Sequence, residues 1–109
     1  LTSNKTNLIA FTKDKKLINI NTFTGKEKWT IDIKENLLFQ PVISENNIYI
    51  TTKSNNIYQL TAYNMSNGKK IWTFKNPLLN LSITNPPSIN QDIIILSTII
   101  ESTTLEGTT

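Results

Sequence analysis

Residues 17–29, LININTFTGKEKW, return as residues 60–72, LTAYNMSNGKKIW, with every aligned pair 43 residues apart and no gap inside the thirteen. The positions that are identical in the two copies are Leu17 and Leu60, Asn21 and Asn64, Gly25 and Gly68, Lys26 and Lys69, and Trp29 and Trp72. A repeat period of this length is typical of propeller blades and of solenoid units, because each repeat is one supersecondary unit. The repeat therefore predicts an architecture more directly than it predicts an activity.

Each copy has the pattern of a β-hairpin. A short run of strand formers comes first, and a polar cluster follows that contains Gly25 in one copy and Gly68, preceded by Asn67, in the other. Because glycine adopts a positive φ without steric cost, Asn-Gly between apolar runs is a strong hairpin signal. Asn21 and Asn64 lie where a side-chain oxygen can accept hydrogen bonds from the turn backbone.

The second half of each copy alternates apolar and polar residues, which indicates a strand with one buried face. Trp29, Ile31 and Ile33 share one face in the first copy, and Trp72 and Phe74 share one face in the second. The motif therefore predicts a strand, a tight turn and a second strand that carries the tryptophan on its apolar face.

The remainder of the chain also has strand patterns, and no segment shows a useful apolar period of 3.6 residues. Strands headed by Pro41 and by Pro87 open two units, with Pro at a strand start where no N–H is needed. The expected fold class is all-β, a partial β-propeller of about two and a half four-stranded antiparallel blades in an open arc.

The expected division has three parts. Residues 1–36 are expected to hold the last three strands of one blade, residues 37–76 a complete four-stranded blade, and residues 77–109 the first two or three strands of another. Residues 76–85 are predicted to be a linker, and a final strand is predicted within residues 99–105.

Composition limits the chemistry. The 109 residues include no Cys and no His, all eleven basic residues are Lys, and the net charge is +3. His is the commonest general base and metal ligand, and nucleic-acid sites usually have a clustered basic face with Arg. The apolar run at residues 93–100 is far shorter than the ~20 residues that span a bilayer. We expect no catalytic residue, no metal ligand, no nucleic-acid partner and no direct membrane span, and we expect Glu27, Asp32 and Glu35 to be solvated.

The motif and the residues before it resemble the PQQ-like repeat of quinoprotein-type β-propellers. That repeat has a Pro-Val-Val strand, a VYVGT-like strand and then a segment close to LYALDAxTGKxxW. The residues that follow it in order are 41–43 (PVI), 48–51 (IYIT), 60–64 (LTAYN) and 68–72 (GKKIW), and residues 17–29 follow its second half. The resemblance covers nearly the whole chain.

The resemblance implies structural roles in blade docking. In that family the Trp docks between neighbouring blades, against a small residue and the Gly turn. The residues that would do so here are Gly25, Trp29, Ala62, Gly68 and Trp72. Two departures are that the Asp of the pattern is Asn in both copies and that the small residue is Asn19 in the first copy.

The resemblance also implies a function. The chain is most similar in character to the non-enzymatic propellers that assist outer-membrane β-barrel assembly, which implies a protein-binding scaffold of the bacterial periplasm or cell envelope. Its inter-strand loops would contact partner proteins, and no cofactor is expected. One alternative is a fragment of a quinone-dependent dehydrogenase, although the adjacent Cys pair and calcium-ligand spacing of that class do not occur here. Another is the ectodomain of a membrane sensor.

Chain length bears on assembly. Propellers have ~4–8 blades, so we expect these residues to belong to a larger propeller whose remaining blades are binding partners. The alternative is that short chains assemble into a closed ring.

Overall fold

The structure, a computed structural model, describes residues 2–3, 6–55, 57–75, 81–84, 86–90, 93–95 and 98–100. All of the regular secondary structure in this part of the chain is β-strand, so the prediction of an all-β fold is confirmed. The strands are β1 (Thr2–Ser3), β2 (Asn7–Phe11), β3 (Lys16–Asn21), β4 (Glu27–Asp32), β5 (Val42–Ser44), β6 (Asn47–Ser54), β7 (Ile57–Asn64), β8 (Lys70–Lys75), β9 (Leu81–Ile83), β10 (Ser88–Asn90), β11 (Ile93–Ile95) and β12 (Thr98–Ile100).

These strands form two four-stranded antiparallel sheets and two strand pairs. The first sheet has the order β1-β2-β3-β4 and the second the order β5-β6-β7-β8. The pairs are β10 with β11 and β12 with β9, both antiparallel. Consecutive strands pair within each four-stranded sheet, which is the meander of a propeller blade, and the arrangement is open rather than closed.

Three details differ from the sequence prediction. Four strands, β9 to β12, lie in the described part of residues 81–100, where two or three were predicted for residues 77–109, and they form two separate pairs. The first sheet contains a fourth strand, β1, where three strands were predicted, because Thr2–Ser3 pairs with the middle of β2. The linker prediction for residues 76–85 is wrong for Leu81–Ile83, which forms β9 because a distant segment, β12, supplies its hydrogen-bonding partner. The part of the predicted final strand beyond residue 100 lies outside the described residues.

The two copies of the motif form equivalent hairpins. A five-residue connection joins β3 to β4 (residues 22–26) and another joins β7 to β8 (residues 65–69). A β-bulge follows Asn19 in one hairpin and Ala62 in the other. Because the connection has five residues, the turn is wider than the two-residue hairpin that an Asn-Gly pair predicts.

The Asn side chains cap these connections. Asn21 Oδ1 accepts hydrogen bonds from the backbone nitrogens of Phe23 (2.8 Å) and Thr24 (3.1 Å). Asn64 Oδ1 accepts the equivalent bonds from Ser66 (2.8 Å) and Asn67 (3.3 Å). Asn therefore accepts the turn hydrogen bonds at the position where the repeat pattern has Asp.

The core lies between the sheets. Ile9 and Leu17 of the first sheet pack with Ile48 and Ile50 of the second sheet and with Met65 of its hairpin connection, and all five are buried. A second cluster on the opposite face of the second sheet contains the buried residues Tyr49, Leu60 and Ala62, against which Val42, Ile89 and Ile94 pack. Residues 48–52 of β6 are therefore all buried, because both faces of the second sheet are covered.

Candidate docking site between the sheets

Trp29 lies at the contact between the first two sheets. It alternates with exposed residues along β4 and is itself half-buried. Its indole Nε1 donates a hydrogen bond of 2.7 Å to the backbone oxygen of Met65, the first residue of the second hairpin connection. The period of two along β4 therefore directs the tryptophan of the first sheet onto the hairpin of the second.

Gly68 lies directly under the indole ring. A Cβ atom built on Gly68 would be 2.8 Å from Cδ2 and 3.0 Å from Cε3 of Trp29, a separation that real Cβ contacts do not show. The φ of Gly68 is 75°, in the left-handed region that glycine adopts at no steric cost and that strains most other residues. Two independent constraints, the backbone conformation and the ring above it, thus require glycine at this position.

Asn19 makes a second polar contact with the same backbone oxygen. It is fully buried, and its Nδ2 donates to Met65 O and to Asn7 Oδ1, both at 2.9 Å. Lys28 Nζ also donates to Asn7 Oδ1, at 3.1 Å. Asn19 Oδ1 has no hydrogen-bond partner among the residues that the structure describes. Two side chains of the first sheet therefore bind one carbonyl of the second.

Trp72 has different surroundings from Trp29. Its side chain is 37% exposed, and its ring centroid lies 6.1 Å from that of Tyr49. The buried Ala62 lies opposite Trp72 in the pairing of β7 with β8. A cleft of about 490 Å³ beside the ring is lined by Leu60, Trp72, Thr73, Phe74 and Ile94. Trp72 thus borders an apolar cleft and not a glycine turn in the described part of the chain.

Gly25 repeats the conformation of Gly68 in open surroundings. Its φ is 72°, and a Cβ atom built on it would meet nothing within 4 Å. Of the five predicted docking residues, the structure brings together Trp29 and Gly68 in one contact and Ala62 and Trp72 in one strand pair. A Cβ atom on Gly25 would approach none of the other four.

A second cleft, of about 280 Å³, lies beside the docked tryptophan and is formed by both sheets. Tyr63 lines it from β7, and Asp32 and Glu35 line it from the end of β4 and the segment that follows. Burial raises the pKa of the Tyr63 phenol, and the negative charge of Glu35 raises it further. Asp32 is exposed and Glu35 is half-buried. Glu27, the third carboxylate of this group in the sequence, is also exposed.

The described residues contain no group of three or more His, Cys, Asp or Glu side chains arranged to hold a metal ion. They also contain no helix of the length and hydropathy that crossing a membrane requires.

The roles of Asn19 and Met65 carry little signal in the sequence. In the repeat pattern Asn19 is only a departure from a small residue, because its hydrogen-bond acceptor lies 46 positions away in the chain. Met65 acts through its backbone oxygen, which every residue possesses, and its identity therefore carries no signal. The one available clue was that an amide replaces alanine at a position that the alternation predicts to be buried.

Stacked antiparallel sheets joined by a docked tryptophan define the protein as a partial β-propeller with quinoprotein-type repeats. A family model described as outer membrane protein assembly factor BamB matches residues 1–107. The chain therefore belongs to the PQQ-like β-propeller repeat family, as its motif predicted.

A comparison with solved structures supports the same fold. The chain is similar to a europium-containing methanol dehydrogenase with a TM-score of 0.58 and 18% identity, over 67% of this chain and 14% of the dehydrogenase chain. At this identity the likeness concerns the fold alone, and the partial-propeller prediction is confirmed at that level. A search of curated proteins found no match.

Proposed function

We propose that this chain is a non-catalytic, protein-binding scaffold segment of a propeller in the bacterial cell envelope, of the type that assists outer-membrane protein assembly. The observation that carries the proposal is the match of the BamB family model to residues 1–107. A match over nearly the whole chain includes the loops as well as the strands, and loops are where a propeller of fixed fold acquires its partners.

In this proposal the blades are residues 1–36, 37–76 and 77–109, and the sheets are joined by aromatic docking. Trp29 and Gly68 join the first two blades, supported by their direct contact. Ala62 and Trp72 serve the following interface, and Gly25 is the equivalent turn for a preceding blade. The remaining blades of a longer propeller are therefore partners of this segment.

The first hairpin connection supplies a surface for a protein partner. The side chain of Phe23 in this connection is 80% exposed, although its backbone nitrogen donates a hydrogen bond of 2.8 Å to Asn21 Oδ1. The equivalent residue in the second hairpin is Ser66, which donates a hydrogen bond to Asn46. An exposed aromatic side chain on a fixed turn is the kind of residue that supplies binding energy at interfaces.

The test measures binding of the chain to an outer-membrane β-barrel polypeptide that is kept unfolded in urea and diluted into buffer. Fluorescence anisotropy of the labelled polypeptide gives Kd for the wild type and for Phe23→Ser, which copies the second hairpin. We expect the substitution to raise Kd about fivefold, roughly 1 kcal/mol of binding energy. Ile71→Ser is the matched control, because Ile71 is also exposed (48%) but lies in β8.

Two outcomes contradict the proposal. One is the absence of measurable binding by the wild-type chain. The other is reduction of a redox dye when a quinone cofactor, calcium and a primary alcohol are added to the purified protein, which would indicate a dehydrogenase. Equal effects of Phe23→Ser and Ile71→Ser would remove Phe23 from the binding surface while leaving the scaffold function in place.

A further inference from the structure

The docked hairpin contains the one Asn-Gly sequence of the chain, Asn67-Gly68. Asn67 is exposed, whereas Gly68 is buried under the ring of Trp29. The equivalent pair in the first hairpin is Thr24-Gly25. A chemically reactive dipeptide thus lies at the contact that joins the first two sheets, and an unreactive counterpart lies at the open turn.

Asn-Gly is reactive because the backbone nitrogen of the glycine can attack the side-chain carbonyl carbon of the asparagine. A bond forms between Gly68 N and Asn67 Cγ, the bond from Cγ to Nδ2 breaks, and ammonia leaves with the proton of the Gly68 amide. Water then opens the succinimide ring at either carbonyl and gives aspartate or isoaspartate. The absence of a side chain on glycine leaves the attacking nitrogen accessible and the backbone free to rotate.

The docked hairpin restrains both the attacking amide of Gly68 and the side chain of Asn67. Gly68 N donates a backbone hydrogen bond of 2.8 Å to Asn64 O, which engages the attacking group. Asn67 Oδ1 accepts a hydrogen bond of 2.9 Å from Lys69 N, which holds the side chain toward the chain that follows. The ring of Trp29 covers Gly68 within van der Waals distance and prevents the rotation that ring closure needs.

We infer that Asn67 is a spontaneous deamidation site whose reaction is controlled by the docking of Trp29. While the sheets are docked, the succinimide cannot form. When the hairpin opens, Gly68 N and the Asn67 side chain are released together and the reaction proceeds. The product places a carboxylate, and in isoaspartate an extra methylene in the backbone, directly beside the contact with Trp29. Deamidation therefore makes a transient separation of the sheets long-lived.

The test follows deamidation of residue 67 by peptide mapping and mass spectrometry during incubation of the full chain at neutral pH. Because the rate follows the population of the open hairpin, we expect the folded wild type to react at least about tenfold more slowly than the same chain in urea. Trp29→Phe removes the bond to Met65 O but keeps a ring, so we expect a several-fold acceleration in the folded protein. Trp29→Ala is expected to react faster than Trp29→Phe but more slowly than the chain in urea, because the hydrogen bonds within the hairpin remain.

Three controls separate docking from general destabilisation. Trp72→Ala removes a tryptophan from the opposite face of the second sheet and is expected to leave the rate at Asn67 within about twofold of wild type, because Trp29 stays docked. Asn67→Thr copies the first hairpin and is expected to give no product at residue 67. Circular dichroism establishes that each variant is folded. If Trp29→Ala does not fold, Trp29→Phe alone tests the effect of docking.

The proposal is overturned if the folded wild type deamidates as fast as the chain in urea. It is also overturned if Trp29→Phe leaves the rate unchanged, or if Trp72→Ala accelerates the reaction as much as Trp29→Phe does.

Discussion

Gly25 and Gly68 both satisfy the requirement for a positive φ, but only Gly68 must also leave space for a side chain packed above it. Their φ values, 72° and 75°, are nearly the same, and each donates its N–H to the backbone oxygen of the Asn that precedes its connection, at 2.8 Å. Only Gly68 has the ring of Trp29 within 3.2 Å of an added Cβ atom. The comparison of the two positions therefore isolates the contribution of docking from that of backbone conformation.

Alanine at the two positions should have unequal effects. Gly25→Ala is expected to lower the free energy of unfolding by about 1 kcal/mol, the cost of a left-handed alanine. Gly68→Ala should lower it by about 3 kcal/mol, because displacement of the ring adds ~1–3 kcal/mol of overpacking. Urea denaturation measures both, and equal losses would show that the Trp29 contact contributes nothing to stability.

The hydroxyl of Thr51 is buried without a hydrogen-bond partner among the described residues, which lowers stability. The Thr51 side chain is 2% exposed. Thr51→Val replaces the hydroxyl by a methyl group, and we expect thermal or urea unfolding to show a gain of about 1 kcal/mol, the desolvation cost that is removed.

Thr61 is the matched control for that substitution. It is also buried, but its hydroxyl lies 3.4 Å from that of Thr73. Thr61→Val should therefore destabilise the protein by about 0.5–1 kcal/mol. A loss of stability in both variants would show that Thr51 has a hydrogen-bond partner.

At the scale of the element, the two hairpins make different contacts at the equivalent positions Asn19 of β3 and Ala62 of β7. Asn19 binds the carbonyl of Met65 on the next sheet, whereas Ala62 lies between Tyr49 and Trp72. Both acceptors of Asn19 have a second donor, Trp29 for one and Lys28 for the other. The hairpins are thus equivalent in backbone but make chemically different contacts with their neighbours.

Exchanging these two side chains should destabilise the protein to different extents. Asn19→Ala removes two hydrogen bonds but leaves neither acceptor without a donor, so we expect a loss of about 1–2 kcal/mol. Ala62→Asn buries an amide among aromatic rings without a partner, and we expect a loss of about 3 kcal/mol. Urea denaturation of the two variants makes the comparison. A larger loss for Asn19→Ala than for Ala62→Asn would contradict this account.

At the scale of the whole molecule, the second sheet is the centre of the described structure, since apolar clusters cover both of its faces. Tyr63 lies in the contact with the first sheet, and Glu35 approaches it from the segment between the two sheets. The ionisation of Tyr63 is therefore sensitive to whether the sheets are packed together.

Stability at alkaline pH should depend on Tyr63. Burial and the charge of Glu35 raise its pKa above the ordinary value of 10.0 in the folded state. Above pH 10 the unfolded chain loses this proton while the folded chain retains it, so the stabilisation is complete below that pH and declines as pH rises through the folded pKa. We expect the free energy of unfolding to fall more steeply for the wild type than for Tyr63→Phe between roughly pH 9 and pH 11.

The same experiment has an electrostatic control. Glu35→Gln removes the negative charge and should make the alkaline decline less steep than in the wild type, though steeper than in Tyr63→Phe. Parallel curves for wild type and Tyr63→Phe would show that the packing of the sheets leaves the tyrosine unperturbed.

Local patterns predicted most of the strands and which residues share a face. The alternation along residues 29–34 predicted which side of β4 is covered, because a strand has a side-chain period of two wherever it lies. The same rule predicted that Trp72 and Phe74 share one face. It did not predict how exposed they are (37% and 45%), because exposure depends on what lies opposite them. Strand β9 was missed because three residues become a strand only when a partner segment is present.

The sequence alone determined the all-β class, the equivalence of the two hairpins, the glycines of their turns and membership of the PQQ-like repeat family. These features depend on neighbours along the chain, such as side-chain period, turn residues and the 43-residue repeat. Tertiary structure alone decided which of the two glycines lies under the ring of Trp29, that Asn19 and Trp29 share one carbonyl, and that Gly25 lies open. These contacts join atoms of different sheets, and their energies depend on distances that no local pattern encodes.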